Sequence, residues 1–194
     1  MEVQITSHKE PLKKLILGVI ERNSVSHVNI VRYATNDNTG FYETPRLEPL
    51  NVDLLGVEEF SKIDFTKASK NPSEVIALSS LVRLNDGRFS HLKQLDLDQQ
   101  PMNGRGFITL AEKVIETVPK GYLISSGSGY HFLGEGILTD LGWHNWMKIM
   151  EGHKDLCDYQ WLQMSISRGY STLRLNATKE KTISPSPLCS IMSI

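Results

Sequence analysis

Cysteine is scarce in this chain. Of 194 residues only Cys157 and Cys189 carry thiols, and their spacing is not Cys-x-x-Cys. That excludes a clustered structural zinc site and a disulfide framework, and it suits the reduced thiols of a cytoplasmic protein. An excess of either charge is missing too: 21 Lys and Arg stand against 22 Asp and Glu, a formal net charge of −1. No global basic field draws in polyanions, so any contact with one has to be a local patch. No run approaches the roughly 18 apolar residues of a membrane helix. The opening Met1–Thr6 stretch also lacks a basic segment followed by an apolar one. A soluble, intracellular protein without membrane partners is expected. The length allows a real core in one domain over residues 1–181, and the Ser- and Pro-containing tail at 182–194 reads as poorly packed and poorly ordered.

What is present is a mixture of helical and strand patterns, an α/β (α+β) chain without internal repeats. Leu12, Leu15, Ile16, Val19 and Ile20 follow Pro11 at helical spacing, which predicts an amphipathic helix over 10–22. Val28–Tyr33 reads as a strand, and residues 36–71 read as loops with at most one short helix. Val75–Leu84 and Phe89–Asp98 flank Asn85-Asp86-Gly87-Arg88, a hairpin signal. Ile108, Ala111, Ile115 and Val118 mark a helix that Pro119 and Gly121 end, and Tyr122–Ser125 is a strand that resumes at Tyr130–Leu133 after a Gly-rich turn or bulge. A Trp-containing helix is expected over 140–153, and Ser171–Leu175 reads as a final strand.

Three clusters carry chemistry. Asp96-Leu97-Asp98 closes the outgoing strand of the hairpin, and strand alternation puts both carboxylates on one face with Leu95 and Leu97 on the other. That geometry suits a divalent metal, and like charges so close call for a bound cation, a shared proton or generous hydration to offset their repulsion. In Ser126-Gly127-Ser128-Gly129-Tyr130-His131, glycines let backbone amides approach an anion, and the imidazole beyond them can donate to phosphate. A further acid, Asp158 or its neighbour Asp155, precedes Arg174 in an apolar strand, with Lys179 and Lys181 after it. An arginine fork matches phosphate oxygens. Metal ligands, a phosphate turn and cationic clamps together make the kit for phosphoryl transfer to or from a nucleotide.

In this order the residues resemble the archaeo-eukaryotic primase (primase-polymerase) superfamily. Its members show an acid-x-acid pair on a strand, a Ser/Gly-rich stretch ending in His, a further acid and an Arg-containing strand with a downstream Lys. Asp96-Leu97-Asp98, Ser126 to His131 with Phe132 after it, Asp158, and Leu173 to Thr178 with Lys179 or Lys181 fill these places over residues 75–181. Asn176 and Ala177 stand where Pro and Gly are common. The resemblance implies a primase-polymerase core with an RNA-recognition-like palm sheet and a second small αβ unit on the N-terminal side. It also implies Mg2+ or Mn2+ on Asp96, Asp98 and Asp158. Ser126, Gly127, Ser128, Gly129, His131, Arg174, Lys179 and Lys181 would then face the triphosphate. The implied reaction is template-directed nucleotidyl transfer that initiates or extends a primer. The implied partners are a nucleoside triphosphate, a nucleic-acid template and primer, and a separate replication or helicase protein.

Other readings compete. A calcium loop needs oxygen ligands and a Gly that Gln99, Gln100, Pro101 and Met102 do not supply, and a haloacid-type phosphatase does not expect Gln100. A nucleotide-sugar transferase also uses Asp-x-Asp but has no need of the Ser126–His131 segment. A catalytically silent primase-like fold that binds nucleotide or nucleic acid is the alternative outside enzymology. Arg174 pairing with Asp158 would be structural, and Trp143, Trp146 and Trp161 read as packing residues.

Overall fold

The computed structural model describes residues 3–34, 51–65, 74–97, 104–178 and 182–194. In chain order the elements are β1 (Val3–Ser7), α1 (Leu12–Arg22), β2 (Val25–Ala34), β3 (Asn51–Gly56), α2 (Val57–Lys62), β4 (Glu74–Leu84) and β5 (Phe89–Leu97). They continue with α3 (Gly104–Thr117), β6 (Lys120–Ser125), β7 (Tyr130–Leu138), α4 (Asp140–Met150), α5 (Tyr159–Arg168), β8 (Thr172–Arg174) and β9 (Ser186–Ser193). All nine described strands join one sheet in the order β1-β9-β6-β7-β5-β4-β2-β3, with β8 on β4. Every described pairing is antiparallel. The chain is therefore mixed α and β, and its N-terminal strands are split between the two edges of the same sheet, β1 at one and β2 with β3 at the other.

Helices cover both faces. Leu15, Ile16, Val19 and Ile20 turn the buried side of α1 onto Val28, Ile76 and Leu78, the outcome that 3.6-residue spacing dictates. Lys13 donates to the carbonyls of Ser61 at 2.7 Å and Ile63 at 2.9 Å, satisfying acceptors at the C-terminal end of α2. On the opposite face α3, α4 and α5 enclose Leu95, Leu97, Leu123 and Phe132, with the fully buried Trp143 and Met147. Period-two alternation feeds both cores from one strand: Leu123 enters this cluster, whereas Tyr122 and Ile124 enter the one under α1.

The predicted hairpin forms, and its turn chemistry explains the register. Gly87 adopts φ +86°, Asp86 accepts from the Arg88 amide at 3.0 Å, and the Leu84 amide donates to the Arg88 carbonyl at 2.8 Å. The β4–β5 ladder nevertheless covers only residues 81–83 against 89–91. Beyond it the sheet forks: Ala77–Ser79 of β4 pair with Arg174–Thr172 of β8, while Gln94–Leu97 of β5 pair with β7. A buried knot sits at the fork. Ser80 donates its amide to the Ser171 carbonyl at 2.7 Å, the Ser171 amide donates to the Ser80 hydroxyl at 3.0 Å, and the Ser171 hydroxyl donates to Gln94 Oε1 at 3.3 Å. Past β8 the Asn176 side chain takes over the ladder, accepting from the Ile76 amide at 2.8 Å and donating to the Glu74 carbonyl at 2.9 Å.

Four sequence expectations are corrected. The tail expected to be poorly packed and poorly ordered contains β9, which lies between β1 and β6 and buries Cys189 and Ile191. Short apolar residues alternating with Ser looked like loop composition, yet alternation is what a sheet strand needs. Ser171–Leu175 is consequently not the last strand. Within 36–71 the chain includes a strand, β3, on β2, and residues 159–168 form a helix that periodicity had not suggested. Its boundaries were nonetheless written in the sequence, with Asp158 as N-cap and Gly169 at φ +78° beyond the last turn.

Candidate active site

The fork opens a cleft of about 200 Å3 between the divided sheet and α5. Asp96, His131, Asp158 and Arg174 all line it. Asp96 reaches it because Leu95 and Leu97 are committed to the opposite, helix-covered core, so alternation turns the carboxylate between them the other way. His131 stands directly across the β5–β7 ladder from Asp96, and its Nε2 lies 3.7 Å from Asp96 Oδ1. This is longer than a hydrogen bond, and the two groups attract as an ion pair when the imidazole is protonated.

Asp158, 62 positions from Asp96 in the sequence numbering, arrives by backbone pairing. Cys157 forms an isolated bridge with Leu97, and the Asp158 amide donates to the Asp96 carbonyl at 3.0 Å. The Asp158 carboxylate also caps α5, its Oδ1 accepting from the Trp161 amide at 2.8 Å. A carboxylate has about four lone-pair sites, so capping does not exhaust it. The joint field of this corner shows in the thiol between the acids: burial first, then the Asp96, Asp158 and Asp155 carboxylates, push Cys157 up to about 12. Of the two candidates for the further acid, Asp158 lines the cleft. Asp155 is exposed and pairs with Lys113 on α3, whose ammonium holds its carboxyl below the usual range.

The Ser126–Gly129 segment is the tip of the β6–β7 hairpin, closed by the Ser126 amide on the Gly129 carbonyl at 2.9 Å. Gly127 sits at φ +92°, a backbone conformation that favours glycine, and a Cβ there would crowd the Ile183 side chain at 3.1 Å. This tip does not line the cleft described above. It is tied to the cleft through Arg174, whose guanidinium donates to the carbonyls of Ser126 and Asn176 and, at 3.2 Å, to that of Ile183. Arg174 thus stitches β8 to the hairpin tip and to the segment before β9 while bordering the cleft. Asp98, Lys179 and Lys181 lie outside the described residues.

Sequence reasoning missed the other wall. Gln160, Met164 and Arg168 project from α5 at intervals of four, and Tyr33 of β2 and Val75 and Ala77 of β4 complete the far end. Arg168 lies over the Tyr33 ring, 5.3 Å from its centroid, and donates to the Tyr33 hydroxyl at 3.2 Å. Burial pushes the Tyr33 phenol up to about 12, against the pull of Arg168. The signal that could have located this wall was the i, i+4, i+8 spacing after the Asp158 cap.

The donors fit a hard cation. Mg2+ is commonly held by one or two carboxylates plus waters and substrate phosphates, and Asp96 and Asp158, bonded through their backbones, both line this cleft. Among the described residues no group of three or more His, Cys, Asp and Glu side chains is gathered for a metal. Also among the described residues, no helix is long and apolar enough to cross a membrane.

A family model described as AEP-like, archaeo-eukaryotic primase 1D-like, matches residues 58–185, more than half of the chain and all of the cleft except Tyr33. No curated protein and no solved structure matched the chain.

Proposed function

The chain belongs to the AEP-like family of archaeo-eukaryotic primase 1D-like domains, and from that membership we propose that its cleft performs metal-dependent nucleotidyl transfer, adding nucleotides to a primer or starting one on a nucleic-acid template. The observation that supports this most is the meeting of Asp96 and Asp158 through the Cys157–Leu97 bridge, with His131 facing Asp96 across the ladder. Acids distant in sequence are held together by backbone, which costs electrostatic energy and is repaid when a cation sits there.

Asp96 and Asp158, with Asp98, are the residues that would hold Mg2+ or Mn2+. When bound, the ion neutralises charge on the attacking 3'-oxygen and the leaving pyrophosphate. The chain itself supplies position. Asp158, fixed as a helix cap, cannot drift from Asp96. His131, when protonated, is held by Asp96 and presents an N–H to a phosphate oxygen. Arg174 borders the cleft and fixes the Ser126–Gly129 tip. Lys179 and Lys181 follow that strand as further cations for the triphosphate, and the tip would offer it the neutral backbone amides of Gly127, Ser128 and Gly129, the Ser126 amide being engaged by the Gly129 carbonyl.

The test is extension of a labelled primer on a template with Mn2+, using ribo- and deoxynucleotides in separate reactions. Product that disappears in Asp96→Asn and Asp158→Asn supports the proposal. Equal product from wild type and both variants overturns it, and nucleotide binding without product would leave the silent-binder reading standing.

A further inference from the structure

Helix α5 works as a ruler along the cleft. Asp158 caps its first turn and Arg168 ends it, so the 10-residue helix separates the acid corner from Arg168 by roughly 15 Å at 1.5 Å per residue. The sheet continues that line, because β2, β4 and β8 are hydrogen-bonded neighbours on the far side of the fork, two spacings of about 4.8 Å or roughly 10 Å, before the gap to β5. That length accommodates a nucleotide laid lengthwise, phosphates at the acids and base at the far end.

The far end has the chemistry of a flat, uncharged ring. Its walls are the apolar Val75, Ala77 and Met164, with Thr172 hydrogen-bonded to Tyr33, closed by Arg168 on Tyr33. Arg168 grips with its edge inside the protein: one terminal nitrogen donates to the Tyr33 hydroxyl at 3.2 Å and the other to Met164 Sδ at 3.7 Å. A phosphate is taken by a guanidinium edge, whereas a base stacks on its plane. Both terminal nitrogens already have partners inside the protein and the guanidinium carbon lies over the Tyr33 ring, so a ring stacked on the plane suits this end better than a phosphate on the edge.

We propose that the Tyr33–Arg168 end of the cleft, with Val75, Ala77 and Met164, is a nucleobase subsite, a site that rests on the nucleotidyl-transfer reading and extends it by assigning the base to these residues. Stacking on a plane is tolerant of base identity, so the subsite contributes affinity for any nucleoside triphosphate rather than selecting one.

Binding to the full chain in Mn2+ distinguishes the two proposals, with inorganic tripolyphosphate and ATP as paired probes and thermal unfolding to confirm that each variant is folded. Tripolyphosphate binding that needs Asp96 reports the acid corner alone. ATP binds the wild type more tightly than tripolyphosphate, Arg168→Leu removes about tenfold of the ATP affinity, and tripolyphosphate is unaffected. Arg168→Lys keeps the charge but not the plane and does not restore ATP. Met164→Ala, which removes one apolar wall and one of the two holds on Arg168 but leaves its contact with Tyr33, weakens ATP selectively and by less. The inference fails, with the acid-corner reading intact, if Arg168→Leu weakens both probes equally or neither, or if lysine rescues. If wild type binds neither probe, both fall together.

Discussion

The two ends of the β4–β5 ribbon differ in what decides them. At the turn end, Asp86 and Gly87 close a short ladder whose strands pair directly. At the other end the same two strands part, β8 takes up the β4 edge while β5 stays paired to β7 as it is at the turn end, and the acids and Arg174 border the gap. The closed end is local chemistry, fixed by a few neighbouring residues. The open end depends on segments distant in the sequence, Arg174 against Ala77 and Asp158 against Asp96, and polar side chains there are held by partners rather than packed away. A fold can therefore be rigid at a turn and still build a cleft from the same hairpin.

The sharpest way to break this comparison is Asp96→Asn. It should cost primer extension at least about 100-fold, the upper range for losing a mere supporting partner of a metal ligand, while leaving the unfolding midpoint near wild type. A large loss of stability with unchanged turnover would make the open end structural. Next is Leu92→Ala beside the closed end, where a fully buried side chain is removed. Urea unfolding should show about 2–5 kcal/mol of destabilisation, with extension by the folded fraction unchanged.

Gly87→Ala tests the turn itself. A side chain at φ +86° is strained by about 1–2 kcal/mol, and the loss should appear in urea unfolding without altering Mn2+-dependent binding at the cleft. A smaller effect comes from His91 between the two ends, stacked on Trp143 at 4.7 Å and bonded to the Ser80 hydroxyl at 3.2 Å. Burial lowers its pKa from 6.5, more than Asp140 raises it. Above pH 6.5 both folded and unfolded His91 are neutral and its contribution is complete. As pH falls through that value the unfolded chain takes the proton first, so stability is lost. Urea midpoints at pH 7.5 and pH 5 should diverge more in wild type than in His91→Gln, and parallel shifts would refute the assignment.

Local patterns were legible where neighbours decide. The α1 face, the Asp86-Gly87 turn and the opposed orientation of Asp96 and Leu95 all follow from periods of 3.6 and 2 and from turn chemistry. Strand β9 was hidden because its composition resembles a loop and its partners, β1 and β6, are remote. Arg168 and Tyr33 were hidden for a related reason: nothing near either residue in the sequence says that a ring on β2 meets a guanidinium at the end of α5.

By itself the sequence determined which side chains carry charge and which way each leans from its own strand or helix, because those depend on backbone periodicity within a few residues. Only the tertiary structure decided that Asp158 rather than Asp155 stands beside Asp96. It also decided that β4 and β5 separate, and that the tail becomes an inner strand. Those outcomes rest on pairing between distant segments, whose loop-closure entropy is recovered only when the whole sheet and both cores assemble.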